Sequence, residues 1–199
     1  ITAALKRIQS DTLELLTEYT TQLGIDLEDF SEAEARFVTA TLAKDIERDE
    51  FVVPTLNQLR AAANSRPFTT KLLKDELKDF PLQQAKLIRN TVTLGIAEGK
   101  SNAEIIKGIL GTSELKFKDG VMNTTRTTAS RLVRTSTQHV AAVARQETYN
   151  SNDITHYAWI STLDGRTSPT CQKRDGQVYE VGKGPLPPAH PNCRSTTIA

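Results

Sequence analysis

The chain has 199 residues, of which 38% are hydrophobic and 25% are charged, and these proportions are ordinary for a soluble globular protein. No stretch of 18 apolar residues is present, which excludes a membrane-spanning helix and argues against a membrane partner. The first residues lack the basic segment and apolar run of a signal peptide. Because the sequence begins at Ile1 without a methionine, we expect a processed product or a piece of a longer chain.

The formal net charge of +1 conceals an uneven distribution along the chain. Residues 1–80 carry 10 basic and 15 acidic side chains, whereas residues 81–145 carry 10 basic and 4 acidic ones. No acidic residue lies between Asp119 and Glu147. This asymmetry indicates an anionic partner, charge complementarity with a neighbouring subunit, or simply a basic surface in contact with water.

The first part of the chain predicts a succession of helices. Apolar residues at helical spacing predict a helix from about Leu5 to Leu23, ended by Gly24. Ser31 and Glu34 have the spacing of a capping box, which predicts the start of a second helix that runs to about Asp49. A third helix is expected to begin near Pro54.

Further helices are predicted over 70–79, where Pro81 ends the helix, and over 82–98. Ser101 and Glu104 form another capping box, which predicts a helix as far as Leu110. Residues 112–120 are expected to form a loop or a short hairpin.

A long helix is predicted over residues 121–150. On a helical wheel its apolar side and an arginine stripe lie opposite each other, so we expect the stripe to face solvent. The apolar side comprises Leu132, Val133, Ser136, Val140 and Val143, and the stripe comprises Arg131, Arg134 and Arg145.

The composition changes after Asn150. A polar cluster at 151–153 indicates a linker, and alternating aromatic and β-branched residues predict strands over 154–162 and 177–181. Most of the glycine and proline of this region lies between and after those strands. The expected fold class is therefore α+β and predominantly α, with a helical body over 1–150 and a small β-containing Cys/His module over 151–199.

Cys171, His190 and Cys193 lie within 23 residues and are candidate metal ligands. A structural zinc site generally has four thiolate or imidazole ligands, so Asp164 or His156 is needed as the fourth. Two alternatives stay open from the residues alone: a disulfide in an oxidising compartment, and two buried thiols that pack as small apolar groups.

A catalytic site is less well supported by the sequence. A Cys–His nucleophile pair is available, but the proline-rich loop around His190 leaves such a pair little freedom to align. No phosphate-binding glycine loop, nucleophile elbow or zinc-protease motif is present. Asp164 to Thr167 is expected to form a turn fixed by Asp164 and Arg166, and Trp159 to anchor the core of the small module. The sequence thus predicts a protein that is not an enzyme.

The C-terminal motif as a whole resembles the Mu F-type family of phage head-morphogenesis proteins, also called minor capsid proteins. The resemblance covers about residues 125–199 and departs from the C-R-C ending of many relatives, because Ser195 follows Arg194. Its motif consists of an aromatic strand, a D-x-R-T turn, a Cys or His, a D-G turn and a closing P-P-x-H-P-x-C-R. The matching residues include Trp159, Asp164, Arg166, Thr167, Cys171, Gly176, His190, Cys193 and Arg194.

The resemblance implies a virion component at the portal vertex or in the capsid interior, present in the host cytoplasm during assembly. It implies portal and major capsid proteins as partners, a role in head assembly and DNA packaging or delivery, and no catalytic activity. It also favours zinc as a cofactor over a disulfide, because relatives exchange Cys for His at the position of Cys171.

The basic region suggests contact with double-stranded DNA through its phosphates, without sequence specificity. The candidate residues are Lys116, Lys118, Arg126, Arg131, Arg134 and Arg145. The first alternative is a scaffold that binds portal or coat subunits without touching DNA, and the second is a zinc or cysteine hydrolase.

Overall fold

A computed structural model describes residues 2–48, 50–68 and 70–199. Its helices are α1 (Thr2–Asp45), α2 (Leu56–Ser65), α3 (Leu73–Ala97), α4 (Asn102–Leu110), α5 (Val121–Ser151) and α6 (Pro169–Arg174). Its strands are β1 (His156–Ile160), β2 (Val178–Glu180) and β3 (Thr196–Ile198). The predicted α+β class with mostly helix is confirmed. The expected helix end at Asp49 and the expected processed end at Ile1 lie outside the described residues.

Helix α1 is a single helix of 44 residues, so the predicted break at Gly24 and the predicted new start at Ser31 are wrong. Ser31 is buried inside the helix. The physical reason is a continuous stripe of buried side chains, since packing outweighs the cost of about 1 kcal/mol for one helical glycine. The stripe comprises Leu23, Leu27, Ser31, Ala35, Val38 and Leu42.

Helix α3 also joins two predicted helices, because it passes through Pro81. A proline inside a helix removes one hydrogen bond and costs about 3 kcal/mol. Apolar burial continues on both sides of the proline, at Phe80, Ala85 and Ile88, and offsets that cost. The predicted end at Pro81 is therefore wrong.

Helices α2, α4 and α5 follow the predictions closely, whereas the sequence analysis predicted no helix at α6. Ser101 and Glu104 form the expected capping box of α4, which ends at Gly111, and α5 differs from its predicted bounds by one residue. Residues 112–120 form a loop without strands. None of the helices in the described part of the chain is long and apolar enough to cross a membrane.

The chain divides into two compact units. Unit 1 comprises residues 1–23 and 74–132, and unit 2 comprises residues 24–73 and 133–199. Helices α1 and α5 contribute segments to both units. The domain boundary predicted at residue 150 lies inside unit 2.

The sheet of unit 2 has the strand order β2-β1-β3, and both pairings are antiparallel. Tyr157 and Trp159 of β1 point to one face and are fully buried. Tyr157 packs with Val38 and Leu42 of α1 and Tyr149 of α5. The opposite face carries Ala158, which is the register partner of both Val178 and Ile198.

Candidate metal centre

The Cys/His site is assembled around Trp159, whose ring packs against Cys171 and Cys193. Cys171 lies on α6, where the Ser168 hydroxyl caps the helix by accepting a hydrogen bond from the Cys171 N–H. His190 and Cys193 lie in the proline-rich loop that leads into β3. Trp159 is fully buried, and both cysteines pack against it.

The three predicted ligands converge. The Cys171 Sγ lies 3.3 Å from the His190 Nε2 and 3.7 Å from the Cys193 Sγ. All three candidate ligand atoms lie within 4.8 Å of one another. Both cysteines are free and buried, and His190 is partly buried. The two sulfurs are not bonded to each other, since the S–S bond of a disulfide is about 2.05 Å long.

The second ring nitrogen of His190 fixes its tautomer. Its Nδ1 lies 3.0 Å from the carbonyl oxygen of Pro191. A carbonyl oxygen only accepts, so the Nδ1 carries the proton and donates it. The Nε2, which faces Cys171, is then the nitrogen through which this ring would bind a metal.

A hydrogen-bonded network braces the cluster from behind. The Trp159 Nε1 donates to the Ser161 hydroxyl at 2.9 Å, and that hydroxyl donates to the Cys171 carbonyl at 2.9 Å. The Ser161 hydroxyl also lies 3.0 Å from the Ser195 hydroxyl. Sequence reasoning noted Ser195 only as the departure from the C-R-C ending, and it did not single out Ser161, because small polar residues in a loop carry no spacing signal of their own.

Asp164, the predicted fourth ligand, lies outside the group of ligand atoms that converge. Its two carboxylate oxygens accept from the Arg194 guanidinium at 2.6 and 2.7 Å. These hydrogen bonds, and a further one from the Arg166 N–H, hold the pKa of Asp164 well below its usual range. His156, the other candidate, is exposed and lies near Thr155. Asp164 thus connects its own turn to the loop that carries Arg194.

The predicted turn around Asp164 is present. The Arg166 N–H donates to the Asp164 carboxylate at 2.8 Å, and the Asp164 N–H donates to the Thr167 hydroxyl at 2.8 Å. The Arg166 guanidinium lies 3.8 Å from the carboxylate and is mostly exposed. In the second predicted turn, Gly176 adopts a φ of +70° and its N–H donates to the Trp159 carbonyl.

A small cavity adjoins the cluster. Cys171 and His190 contribute to its lining, together with Arg166, Arg194 and Asn192. None of the described residues that line it is a carboxylate. The cavity therefore offers positive charge and hydroxyl groups beside the cluster, and no carboxylate base.

The candidate DNA-binding residues divide into two groups. Lys116, Lys118, Arg126, Arg131 and Arg134 are exposed. Arg145 is only 19% exposed, and its Nη2 lies 2.6 Å from the Oε1 of Glu34. The two groups form an ion pair, but their geometry is not that of a hydrogen bond, since this Glu34 oxygen has no hydrogen-bond partner. Arg145 also donates to the Thr196 hydroxyl.

The predicted solvent-facing position of Arg145 is therefore wrong. Between residues 135 and 149, side chains on all sides of α5 are buried. The small residues Ala141, Ala142 and Ala144 allow other parts of unit 2 to approach the side of the helix that the wheel assigned to solvent. Arg145 is thus enclosed with Glu34.

Comparison with known proteins identifies the family. Residues 86–198 match the family described as Phage Mu protein F like protein, and they include α4, α5 and the entire Cys/His cluster. This chain belongs to the Phage Mu F-like family. Members of this family are phage head-morphogenesis proteins, so the resemblance seen in the sequence is confirmed.

Two relatives of this Mu F-like chain extend well beyond it. An NAD(+)–arginine ADP-ribosyltransferase of Enterococcus faecalis is 30% identical over 146 residues, which are 66% of this chain and 29% of that protein. A Haemophilus influenzae protein without a functional name is 25% identical over 126 residues, 61% of this chain and 26% of its own length. The Mu F-like chain thus spans less than a third of either relative. No solved structure matches it.

Proposed function

We propose that this Mu F-like chain is a non-enzymatic component of the phage particle, located at the portal vertex or in the capsid interior. There it aids head assembly and the packaging or delivery of DNA. The family supports a structural role in the head. The observation that carries the finer proposal is the exposed basic segment of residues 116–134.

Contact with DNA phosphates requires exposed cations. Lys116, Lys118 and Arg126 are exposed; the acidic residues nearest to the two lysines in the sequence are Glu114 and Asp119, and no other occurs before Glu147. The Asp119 carboxylate already accepts hydrogen bonds from the N–H and the hydroxyl of Thr112. Cations on one segment neutralise phosphates irrespective of base sequence, because phosphate contacts carry no sequence information.

The test is the salt dependence of duplex binding. Each lost phosphate contact lowers the slope of log K against log salt by about 0.9, so replacing Lys116, Lys118 and Arg126 by Gln should lower it by up to ~2.7. The matched control replaces Lys6, Lys44 and Lys173, which are also exposed, and removes the same charge. Equal slopes for the two triple variants would reject contact through this segment.

A scaffold that binds another head protein is the second candidate, and the outer face of the sheet favours it. Val178 and Ile198 are 64% and 56% exposed and flank Ala158 in register. Ile160 is exposed on the same face, two residues further along β1. Contiguous exposed apolar side chains mark protein interaction sites, and portal and major capsid proteins are the partners that a head protein would contact.

Co-purification with portal and major capsid proteins tests the scaffold. Changing Val178 and Ile198 to Ser should reduce capture at least 10-fold in a manner insensitive to salt. Leu94→Ser, an exposed apolar position of unit 1, is the control. Undiminished capture by the double variant would reject this face as the docking surface.

The hydrolase alternative receives little support from the site. A nucleophilic sulfur must reach a substrate, but Cys171 is only 2% exposed and lies against a second thiol. The adjoining cavity has no carboxylate among its described lining residues. These features favour a structural role for the cluster.

A further inference from the structure

We propose that Cys171, His190 and Cys193 bind one zinc ion that stabilises the C-terminal part of unit 2, with a water molecule as the fourth ligand. This site does not depend on DNA contact or on the docking of a head protein. It rests on the geometry of the three side chains, the tautomer of the histidine and the surroundings of the cluster.

Two of the three distances between the ligand atoms are close to those around a tetrahedral ion, and all three atoms lie within 4.8 Å of one another. Zinc–sulfur bonds of about 2.3 Å and zinc–nitrogen bonds of about 2.0–2.1 Å separate ligand atoms along the edge of a tetrahedron by roughly 3.5–3.8 Å. The Cys171 Sγ lies 3.7 Å from the Cys193 Sγ and 3.3 Å from the His190 Nε2. Small movements of the side chains therefore suffice to accommodate the ion.

The tautomer of His190 supplies an independent argument. Histidine ligands generally donate their other ring N–H to a carbonyl or carboxylate, which orients the ring and raises its basicity. The donation from the His190 Nδ1 to the Pro191 carbonyl provides this arrangement. The Nε2 lone pair then points at the thiol of Cys171, where a metal would lie.

The surroundings hold in place the two loops that carry the ligands. Arg194 follows Cys193 directly, and its guanidinium is fixed by two hydrogen bonds to Asp164. Ser161 holds the Cys171 carbonyl and orients the loop behind the sulfur.

The fourth ligand is assigned to water because Asp164 is already bound by Arg194. Cys171 and His190 line the small cavity, from which solvent reaches the ion. Three protein ligands and an open position give a site that exchangeable anions can enter. This distinguishes the proposed site from a closed four-ligand zinc finger.

The experiment uses the full chain, purified from cells grown with zinc, and measures metal by plasma mass spectrometry and thiols by alkylation. We expect about one zinc per chain and two reduced cysteines. After exchange for cobalt, thiolate charge-transfer bands should appear in the near ultraviolet. Visible bands typical of four-coordinate cobalt should shift when azide is added, since azide enters the open position.

Variants assign the ligands. Cys171→Ser, Cys193→Ser and His190→Ala should each lower zinc content at least 10-fold at a fixed chelator concentration. His156→Ala and Asp164→Asn should retain zinc, because neither side chain belongs to the cluster. Circular dichroism of each variant separates loss of metal from loss of the fold, since the helices of unit 1 contain none of these residues.

Several results would overturn the proposal. These are a wild-type chain without zinc and without thiolate bands after cobalt loading, or a Cys171–Cys193 disulfide in freshly lysed cells. Zinc that survives the loss of both cysteines would equally overturn it. Loss of zinc from Asp164→Asn would indicate that Asp164, and not water, is the fourth ligand. Cobalt bands unaffected by azide would show that the ion has no open coordination position.

Discussion

Asp164 carries more interactions than any other exposed carboxylate of the C-terminal motif that the structure describes. It pairs with Arg194, 30 residues later in the chain, and closes its own turn through Arg166 and Thr167. The sequence indicated a turn over Asp164 to Thr167 and assigned its stabilisation to Asp164 and Arg166. It did not indicate the Arg194 pair, because nothing in local spacing reports which distant loop approaches.

This pair predicts a pH dependence of stability. Arg194, and secondarily Arg166, lower the pKa of Asp164 in the folded state, whereas the unfolded value is about 3.9. The pair therefore stabilises the fold fully above about pH 4–5 and progressively less as the pH falls below that range. The difference between the urea midpoints of wild type and Asp164→Asn should shrink as the pH falls from 5 to 2.5. A constant difference over that range would contradict this account.

At Gly184 the structure leaves no room for a side chain. A Cβ built there would lie 2.5 Å from the Tyr157 hydroxyl oxygen, which donates to the Pro185 carbonyl at 2.7 Å. Burial raises the pKa of Tyr157 to about 12, so the hydroxyl keeps its proton at neutral pH.

Gly184→Ala should consequently lower the free energy of unfolding by about 1–3 kcal/mol, since the tyrosine or the loop must move. Gly165→Ala is the matched control, because nothing lies near its added Cβ, and it should change stability by less than about 0.5 kcal/mol. Chemical denaturation of both variants provides the comparison. Equal stabilities would mean that the loop around Gly184 moves to accommodate the added Cβ without loss of stability.

At the scale of elements, α1 and α3 show where local signals mislead. Gly24, Ser31 and Pro81 are ordinary boundary residues, and the sequence alone predicts breaks at all of them. The structure continues because buried side chains recur at helical spacing across each position. In α4 the capping box of Ser101 and Glu104 and the C-terminal Gly111 mark the same ends as the apolar pattern. The predicted bounds of this helix are correct.

The continuity of α1 predicts that Gly24→Ala stabilises the chain. Alanine is about 0.5–1 kcal/mol more favourable than glycine inside a helix, and nothing lies within 4 Å of the added Cβ. Gly99→Ala should do the opposite, because Gly99 has a φ of +72°. Thermal denaturation of the two variants distinguishes the cases. A destabilising Gly24→Ala would indicate that the helix ends there after all.

Helix α5 carries the contrast between a buried and an exposed arginine. Breaking the Arg145–Glu34 pair by Arg145→Gln leaves a carboxylate that is only 11% exposed without its partner. The free energy of unfolding should fall by about 3 kcal/mol.

The control, Arg134→Gln, removes the same charge at an exposed position of the same helix. It should change the free energy of unfolding by less than about 0.5 kcal/mol. Urea denaturation measures both. Equal effects would mean that the Arg145 guanidinium is accessible to water and that its pair with Glu34 contributes no more to the free energy of unfolding than a surface ion pair.

For the whole molecule, the family assignment and the Cys/His cluster were accessible from the sequence, because the motif fixes residue types, order and spacing from Trp159 to Arg194. The burial of Arg145 and the use of Asp164 were not. Both depend on partners far away in the chain, Glu34 and Arg194. A helical wheel reports which residues share a side, but it does not report how many sides of the helix are covered.

The most direct test of the central claim, that this chain is a structural component of the phage head, is its presence in assembled particles. Quantitative mass spectrometry of proheads and mature particles, purified from the phage that encodes it, measures its copies relative to the portal protein. We expect a few copies of the chain per portal in both proheads and mature particles. If zinc only stabilises the fold, a chain in which Cys171 is replaced should still be present in the particles. Absence of the chain from both particles, while it accumulates in the lysate, would contradict the account.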